Sequence, residues 1–393
     1  MQQLEGYFET LLDPKESLQT WRQKAWSRFL ELGWPRPKQE AFQYLSLKDL
    51  QIPQPALPPQ TAGHAAAPYS LLFTDGFFQH ANLPQPLICL KLDAAMLVYG
   101  VFLQNRIGRS LKEETDPIAA MNGAFQGKGA FLYIPPDTRI EQPIEIHHHV
   151  TTRQMASPRL QIFLGKGASA RIVQRTSSAA DSSFCNIHID ANLDAGASLF
   201  FGDSQKWTAS STCFESFRCT LKRDSRLHFL SVSRGAKLAR TSIKVQLLEE
   251  NCEALLQGLN VLDLDLQKHT HVLVEHVAPC CRSRQHFKGI LRGKSRSSFE
   301  GKILVRPEAQ KTEAYQLNNT LLLSDEAMGF AKPNLEIFAD DVKASHGATV
   351  CQLNEEELFY CRSRGIPLPL AQETLAAGFC NEILNAAPPG ISL

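Results

Sequence analysis

Side chains that could carry chemistry are concentrated in two places. Between Lys268 and His286 the sequence gathers His269, His271, His276, Cys280, Cys281 and His286. Imidazole and thiolate are the usual zinc ligands, and on a strand His269 and His271 would share a face and could bind one metal. The spacing argues against zinc. Cys280 and Cys281 are adjacent, the chain contains no Cys-x-x-Cys, and structural zinc takes ligand pairs roughly two to four residues apart. The expectation is a polar strand face with two buried thiols. The second place is the segment from Asp340 to Cys351, where His346 is followed by Gly347, so that backbone or ligand can approach the imidazole closely. Imidazole near its pKa is a borderline ligand suited to iron. A single histidine in a loop can equally be a hydrogen-bonded structural residue, and the residues alone leave both readings open.

Other motifs exclude more than they suggest. Gly289-Ile-Leu-Arg-Gly293-Lys294-Ser295 resembles a phosphate-binding loop, but it is one residue short between the glycines and lacks the helix that must follow. Gly167-Ala-Ser169 and Gly196-Ala-Ser198 continue with Arg171 and Phe200 where a nucleophile elbow needs glycine. His147, His148 and His149 lie within Ile144 to Val150, which reads as a strand with one histidine facing oppositely to the other two. Lys plus Arg number 41 against 40 Asp plus Glu, so no global field favours nucleic acid or an acidic membrane as partner. Ten cysteines scattered over 393 residues, without a secretory signal, predict reduced thiols in a cytoplasmic protein. Glu5, Glu9, Asp13 and Glu16 suit neither a signal nor a transit peptide. The most apolar stretch, Ala94 to Leu103, is too short to span a bilayer.

The elements that must position these residues fall into three regions. Residues 1–68 read as helical followed by a proline-rich linker. Ser17 is the expected cap of a helix bearing Leu18, Trp21, Ala25, Phe29 and Leu32, stopped by Gly33, Pro35 and Pro37. A second amphipathic stretch is expected over Gln39 to Leu50, before the prolines between Pro53 and Pro68. From 69 to 350 helical periodicity fades into short β-rich runs. Gly167-Ala-Ser, Gly196-Ala-Ser, Asp224-Ser-Arg and Asn251-Cys-Glu each lead into an apolar run at near-constant spacing. A recurring turn–strand unit buries its face only by stacking on its copies, so a β-solenoid is favoured over a set of unrelated hairpins. Residues 351–393 return to helix. Asn354 and Glu357 form a capping box, Gly365 ends that helix, and Leu375, Phe379 and Ile383 stripe a last one that stops before Pro388-Pro389.

Asp340-Asp341-Val-Lys-Ala-Ser-His346-Gly-Ala-Thr, followed by Leu358-Phe359-Tyr360-Cys-Arg362-Ser363-Arg364-Gly365, resembles the signature of the SufB/SufD family of iron–sulfur cluster assembly proteins. Phe299-Glu300-Gly301-Lys302-Ile303-Leu-Val305, Ala309-Gln310-Lys311-Thr312, Gln316-Leu-Asn318, Ala120-Met-Asn122-Gly-Ala124-Phe125 and Ile140-Glu141-Gln-Pro143-Ile144 fit as well. Pro37-Lys38-Gln-Glu40-Ala-Phe42-Gln-Tyr44 is similar to the family's Pro-x-x-Lys-x-Glu-x-Trp-Lys-Tyr element, with Phe42 and Gln43 replacing Trp and Lys. The Ser-His-Gly form points to the SufD branch.

The resemblance implies a mainly β protein, a right-handed parallel β-helix flanked by helical N- and C-terminal regions. It implies a non-catalytic subunit that pairs with a SufB-like chain and docks a SufC-like ATPase through its C-terminal helical region, here Leu358, Phe359, Tyr360, Arg362, Arg364 and Gly365. A transient iron–sulfur cluster shared with the SufB-like chain would use His346; ATP would enter only through the SufC-like subunit, and flavin is left undecided. The sequence departs from the family pattern at Ala344, often cysteine, at Cys351, usually glycine, and at Cys361, usually aliphatic. Cys351, five residues from His346, could supply a substitute thiolate, but a buried structural thiol is the expectation. Two alternatives stand beside this reading. One is a SufB-like homodimeric scaffold; the other is a carbohydrate-active β-helix enzyme, which should show a solvent-facing row of Asp or Arg on successive rungs, and the sequence shows none.

Overall fold

The computed structural model describes residues 2–37, 39–45, 47, 50–59, 67–387 and 391. The N-terminal part holds α1 (Gln2–Thr10), α2 (Gln19–Leu32) and a single 3-10 turn at Glu40–Phe42. A short opening layer follows, made of β1 (Ser70–Thr74), β2 (Phe77–Asn82) and β3 (Ile88–Lys91). Three helices come next: α3 (Leu92–Val98), α4 (Gly100–Glu113) and α5 (Pro117–Phe125). The chain then coils through β4 (Ala130–Ile134), β5 (Ile144–Val150), β6 (Met155–Ala156), β7 (Arg159–Leu164), β8 (Ser169–Ser178), β9 (Phe184–Leu193) and β10 (Ser198–Lys206). It continues through β11 (Thr212–Leu221), β12 (Arg226–Ser233), β13 (Leu238–Leu247), β14 (Glu253–Leu262) and β15 (Gln267–His276). The last turns are β16 (Arg282–Leu291), β17 (Arg296–Val305), β18 (Thr312–Leu322), β19 (Met328–Ile337) and β20 (Val342–Gln352). Helices α6 (Glu355–Ser363) and α7 (Leu368–Leu384) close the chain.

From β8 onward the strands alternate between two parallel sheets. Sheet I runs β2-β1-β5-β8-β10-β12-β14-β16-β18-β20, and sheet II runs β19-β17-β15-β13-β11-β9-β7-β4-β3. Ser169 pairs with Ser198, Ser198 with Arg226, Arg226 with Glu253 and Glu253 with Arg282, so each of these turns takes 27 to 29 residues. This is the parallel β-solenoid expected from the repeat, with about eight turns. Its corners share one backbone conformation: Gly167, Gly196, Asp224, Asn251, Cys280 and Lys311 all have φ between 59° and 69°. Glycine, Asp and Asn enter that left-handed region most readily. Cys280 and Lys311 continue the series without advertising it.

The lumen is filled by stacked apolar side chains. Ile172, Phe201, Phe229 and Leu256 stand in register on consecutive strands of sheet I. Phe217 crosses from sheet II, its ring 4.8 Å from both Phe201 and Phe229. Each fully buried Phe stabilises the fold by roughly 1.5–3 kcal/mol relative to exposure.

The N-terminal helices cover the outer face of sheet II. Phe8 stacks on Trp26 at 4.8 Å, and both meet Phe125 edge-on. Helix α5 is buried at all nine positions and begins with Asp116 accepting from the Ile118 N–H, with Pro117 in the first turn. Two buried ion pairs fix the start of α5 and the segment before it to the strands, Arg218–Glu114 at 2.8 Å and Arg240–Asp116 at 2.6 Å, while Arg159 of β7 pairs with Asp190 of β9 at 2.6 Å and donates to Asn122 of α5 at 3.1 Å. Farther along the same face, Glu40 binds Lys332 at 2.8 Å and Lys302 at 3.4 Å, and Tyr44 stacks on Phe330 at 4.9 Å. The Pro37 to Tyr44 element thus straps the helical layer to the final rungs; Lys38 lies outside the described residues.

Several local expectations are corrected. Ser17 does not cap α2: Leu18 holds that position, and the Ser17 hydroxyl donates to the Asp93 carbonyl at 3.0 Å. Among the described residues of Gln39–Leu50 only the 3-10 turn is helical. Helices α3 to α5 interrupt the region expected to be β-rich: α5 is buried all round and shows no periodicity, whereas α4 carries a helical stripe of Leu103, Ile107 and Leu111 that was not read. In α7 the buried stripe is Ala371, Ala376, Cys380 and Ile383, and Leu375 and Phe379 flank it half-buried. Asn354 does cap α6, accepting from the Glu356 and Glu357 amides, and Gly365 follows with φ 80°. The expected stop at Pro388-Pro389 and part of the linker, 60–66, lie outside the described residues.

Candidate functional site at the open end of the solenoid

His346 is not in a loop. It sits on β20, the last strand of sheet I, which pairs with β18 alone, while β19 ends sheet II by pairing with β17 alone. Each terminal strand therefore keeps one row of backbone N–H and C=O groups with no strand beside it among the described residues. Apolar side chains stand exposed around this end: Met328, Phe330, Val350 and, at 62% exposure, Phe338. Such a surface is unusual for a chain that works alone.

Alternation along β20 decides which way His346 faces. Val342 and Ala344 pack with Ile303, Val305 and Ala314 in the lumen. Val350 lies across from β19, where a Cβ on Gly329 would be 3.2 Å from its Cγ1. Even-numbered residues of β20 thus point into the lumen, and His346 shares their face between Ala344 and Ala348. Its partner in register is Gln316 of β18, which in turn pairs with Gln285 of β16. The column that is Ile172, Phe201, Phe229 and Leu256 deeper inside becomes Gln285, Gln316 and His346 at the mouth. His346 is exposed and makes no hydrogen bond or ion pair among the described residues.

Cys351 takes the opposite face of β20, and it is exposed rather than buried as expected. It does not converge with His346. Cys361 is half-buried on α6. The other candidates form a separate group just beyond β20. Leu358, Phe359, Tyr360 and Arg362 lie on α6, with Arg364 and Gly365 in the turn after it. No residue of α6 is buried; Phe359 is 74% exposed and Tyr360 60%, with the Arg364 guanidinium 5.1 Å from the Tyr360 ring. Helix α7 supports α6 and is itself anchored on sheet I through Lys288, whose ammonium lies 4.4 Å from the Phe379 ring and bonds the Phe379 carbonyl.

The histidine–cysteine cluster does not assemble. His269 and His271 share the outer face of sheet II beneath the Glu40–Phe42 turn, and burial pushes both down to about 3. His276 turns into the lumen against Ser283 at 2.8 Å, and His286 lies on sheet I, 3.7 Å from Glu382. Cys280 is an exposed corner residue and only Cys281 is buried, so one of the two expected buried thiols is not. Among the described residues no group of three or more His, Cys, Asp or Glu is placed to hold a metal ion. The triplet at 147–149 alternates as expected, His148 alone facing inward to Gln174 at 3.1 Å. The Gly289–Ser295 segment is strand and turn, without the helix a phosphate loop requires.

Two features went unread in the sequence. In the lumen, Gln174 donates to Asp203 and Glu215, Gln205 donates to the same two carboxylates, and Lys268 donates to Gln205 at 2.9 Å. Burial raises both carboxyls. Residues from four strands meet there only through register, and the sequence carried no local signal of it. On the outer face of sheet I, Arg226, Glu253, Arg282, Glu313 and Lys343 stand in one row. The charges alternate and pair, as at Arg282–Glu253 (2.9 Å), so this row has the character of a surface ladder.

Fold and site together define the class: a two-sheet β-solenoid whose chemistry-bearing residues lie at its open end rather than in an enclosed cleft. The particular family follows from comparison. Residues 147–379 match the SufBD core domain of SUF system FeS cluster assembly, and residues 10–146 match the SufBD protein N-terminal region. The chain belongs to the SufB/SufD family. An iron–sulfur cluster assembly SufBD family protein of Synechocystis is 29% identical over 335 residues, 81% of this chain and 74% of that protein. A chloroplastic protein of Arabidopsis thaliana is 29% identical over 73% of this chain and 63% of its own length. The iron–sulfur cluster assembly protein SufD of Escherichia coli is 33% identical over 229 residues, 58% of this chain and 54% of the relative. The chain thus spans less than two thirds of the latter two. No helix among the described residues is long and apolar enough to cross a membrane.

Proposed function

We propose that this chain is the SufD-like subunit of a SufB–SufC–SufD assembly, a scaffold rather than a catalyst. Its open solenoid end would pair with a SufB-like chain, and α6 would dock a SufC-like ATPase. The observation that carries the reading is the placement of His346 on the lumen face of an edge strand, at an end of the solenoid where Met328, Phe330, Phe338 and Val350 also stand exposed. An imidazole there suits a cluster that must later leave. One nitrogen ligand from this chain and thiolate from another tie the iron less firmly than a full set of thiolates in one pocket. Exposed Phe359 and Tyr360 beside two arginines give α6 the aromatic and Arg character common to binding hot spots. ATP would act only through the SufC-like subunit, whose closure would shift the two scaffold chains between two arrangements of their shared edge.

Co-purification from cells expressing all three subunits tests both halves. His346→Ala should keep the complex and lose cluster loading under anaerobic reconstitution; wild-type iron and sulfide content would reject the ligand role. Phe359→Ala should release the SufC-like subunit while leaving the melting temperature within about 1 °C, since its exposed ring contributes little to folding. Full retention of that subunit would reject the docking role. Cluster assembly by this chain alone would favour the homodimeric scaffold instead.

A further inference from the structure

Phe299-Glu300-Gly301 and Gln316-Leu317-Asn318 carry part of the family resemblance, yet the function proposed above gives them no task. Their places in the lumen do. Gln316 lies one strand in from His346 on the same face and is only 3% exposed. Its Nε2 donates to Gln285 Oε1 at 2.7 Å. Two amides bonded this way on neighbouring parallel strands make a ladder with a direction: the N–H points inward and the carbonyl oxygen is left for the next strand out. The ladder's two loose ends are Gln285 Nε2 and Gln316 Oε1, both buried and both without a hydrogen-bond partner. Gln285 Nε2 is at the Leu256 end. Gln316 Oε1 is at the end that carries His346.

Gly301 fixes this arrangement from across the lumen. A Cβ on Gly301 would collide with Gln316 Nε2 and come within 2.8 Å of the Phe299 ring. The glycine is thus the space in which the Gln316 amide lies. Gln316 and His346 are partners in register, and such neighbours on parallel strands are about 4.8 Å apart, a spacing that one side-chain hydrogen bond spans.

We infer that Gln316 is a positioning residue for His346. Its Oε1 accepts one imidazole N–H, which fixes the tautomer and presents the other ring nitrogen, with its lone pair, at the open end. The inference rests on the proposed ligand role of His346 for its purpose, but the tautomer itself can be measured without cluster or partner.

The experiment is nitrogen-15 NMR of histidine-labelled full-length chain, with His346→Ala assigning the signal. The wild type is expected to hold His346 in one tautomer at pH 8. Gln316→Leu should return it to the mixture seen for solvated histidine, and Gly301→Ala, which displaces the amide, should do the same. A wild-type tautomer in folded Gln316→Leu, or in folded Gly301→Ala, overturns the inference. Full cluster content in the His346→Ala complex would instead sink the ligand role and leave the tautomer result standing.

Discussion

Asp116→Asn is the sharpest test of how the helical layer is held to the solenoid. Asp116 caps α5 and also neutralises Arg240, whose side chain is 2% exposed and lies over the Phe42 ring at 4.3 Å. Asparagine is as good an N-cap as aspartate, so the cap survives and only the charge is removed. Leaving a buried guanidinium without its carboxylate costs about 3–5 kcal/mol, whereas replacing both partners by apolar groups is often close to neutral. Asp116→Asn should therefore lower stability by about 4 kcal/mol, Asp116→Ala by about 1 kcal/mol more through the lost cap, and Asp116→Asn with Arg240→Met should recover most of it. In urea unfolding a loss of this size moves the midpoint by about 1 M for a chain this long. Burial alone would raise the Asp116 carboxyl, but the Arg240 and Arg218 guanidiniums reverse that and hold it well below the usual carboxylate range. Its contribution is thus present above the unfolded pKa of about 3.9 and lost as pH falls further, so wild type and Asp116→Asn should converge only in strong acid. A single variant within about 1 kcal/mol of wild type at pH 7, or a double variant no better than the single, would refute the pairing as the fastening.

Two further outcomes bear on the scaffold. Phe229→Ala opens a cavity between Phe201 and Phe217 and should cost about 3–5 kcal/mol in urea unfolding; a loss under about 1 kcal/mol would mean the lumen repacks freely. Burial pushes the Glu300 carboxyl up to about 7, against the pull of Lys332, Arg240 and Lys302. Because its folded pKa is raised, the protonated form stabilises the fold, and that contribution is lost as pH climbs from about 4.3 toward 7. Glu300→Gln should match wild type near pH 4 and exceed it at pH 8; equal urea midpoints at both pH values would remove the basis for this.

How far the structure could be read from the sequence depended on whether the cause was local. The solenoid was legible because Gly167, Gly196, Asp224 and Asn251 mark a conformation that few residue types adopt readily. The same corner at Cys280 and Lys311 was silent, since those side chains do not announce it, and Cys280-Cys281 read as a pair of thiols instead. Asp116 followed by Pro117 was a readable helix start that went unused, and so was the four-residue spacing of Leu103, Ile107 and Leu111 on α4; only α5, apolar nearly all round, offered no periodicity. His346 was identifiable by resemblance, but its neighbours were not. Gln316 stands thirty residues earlier and reaches it only through the register of β18 and β20. The face that Cys351 occupies and the strap from Glu40 to Lys332 likewise depend on long-range pairing.

The two ends of the coil are not alike. At the start, β2 runs antiparallel to β1 and β3 antiparallel to β4, whereas every later pairing in both sheets is parallel. A second copy approaching that end meets a reversed strand, not the template of one more coil. Only the far end offers a continuing pattern. Strand addition there uses up the single competent terminus of each participant, so the joined object has no growing tip. The geometry therefore favours a finite couple over an open fibre, a useful property where two terminal strands keep a backbone row unpaired among the described residues.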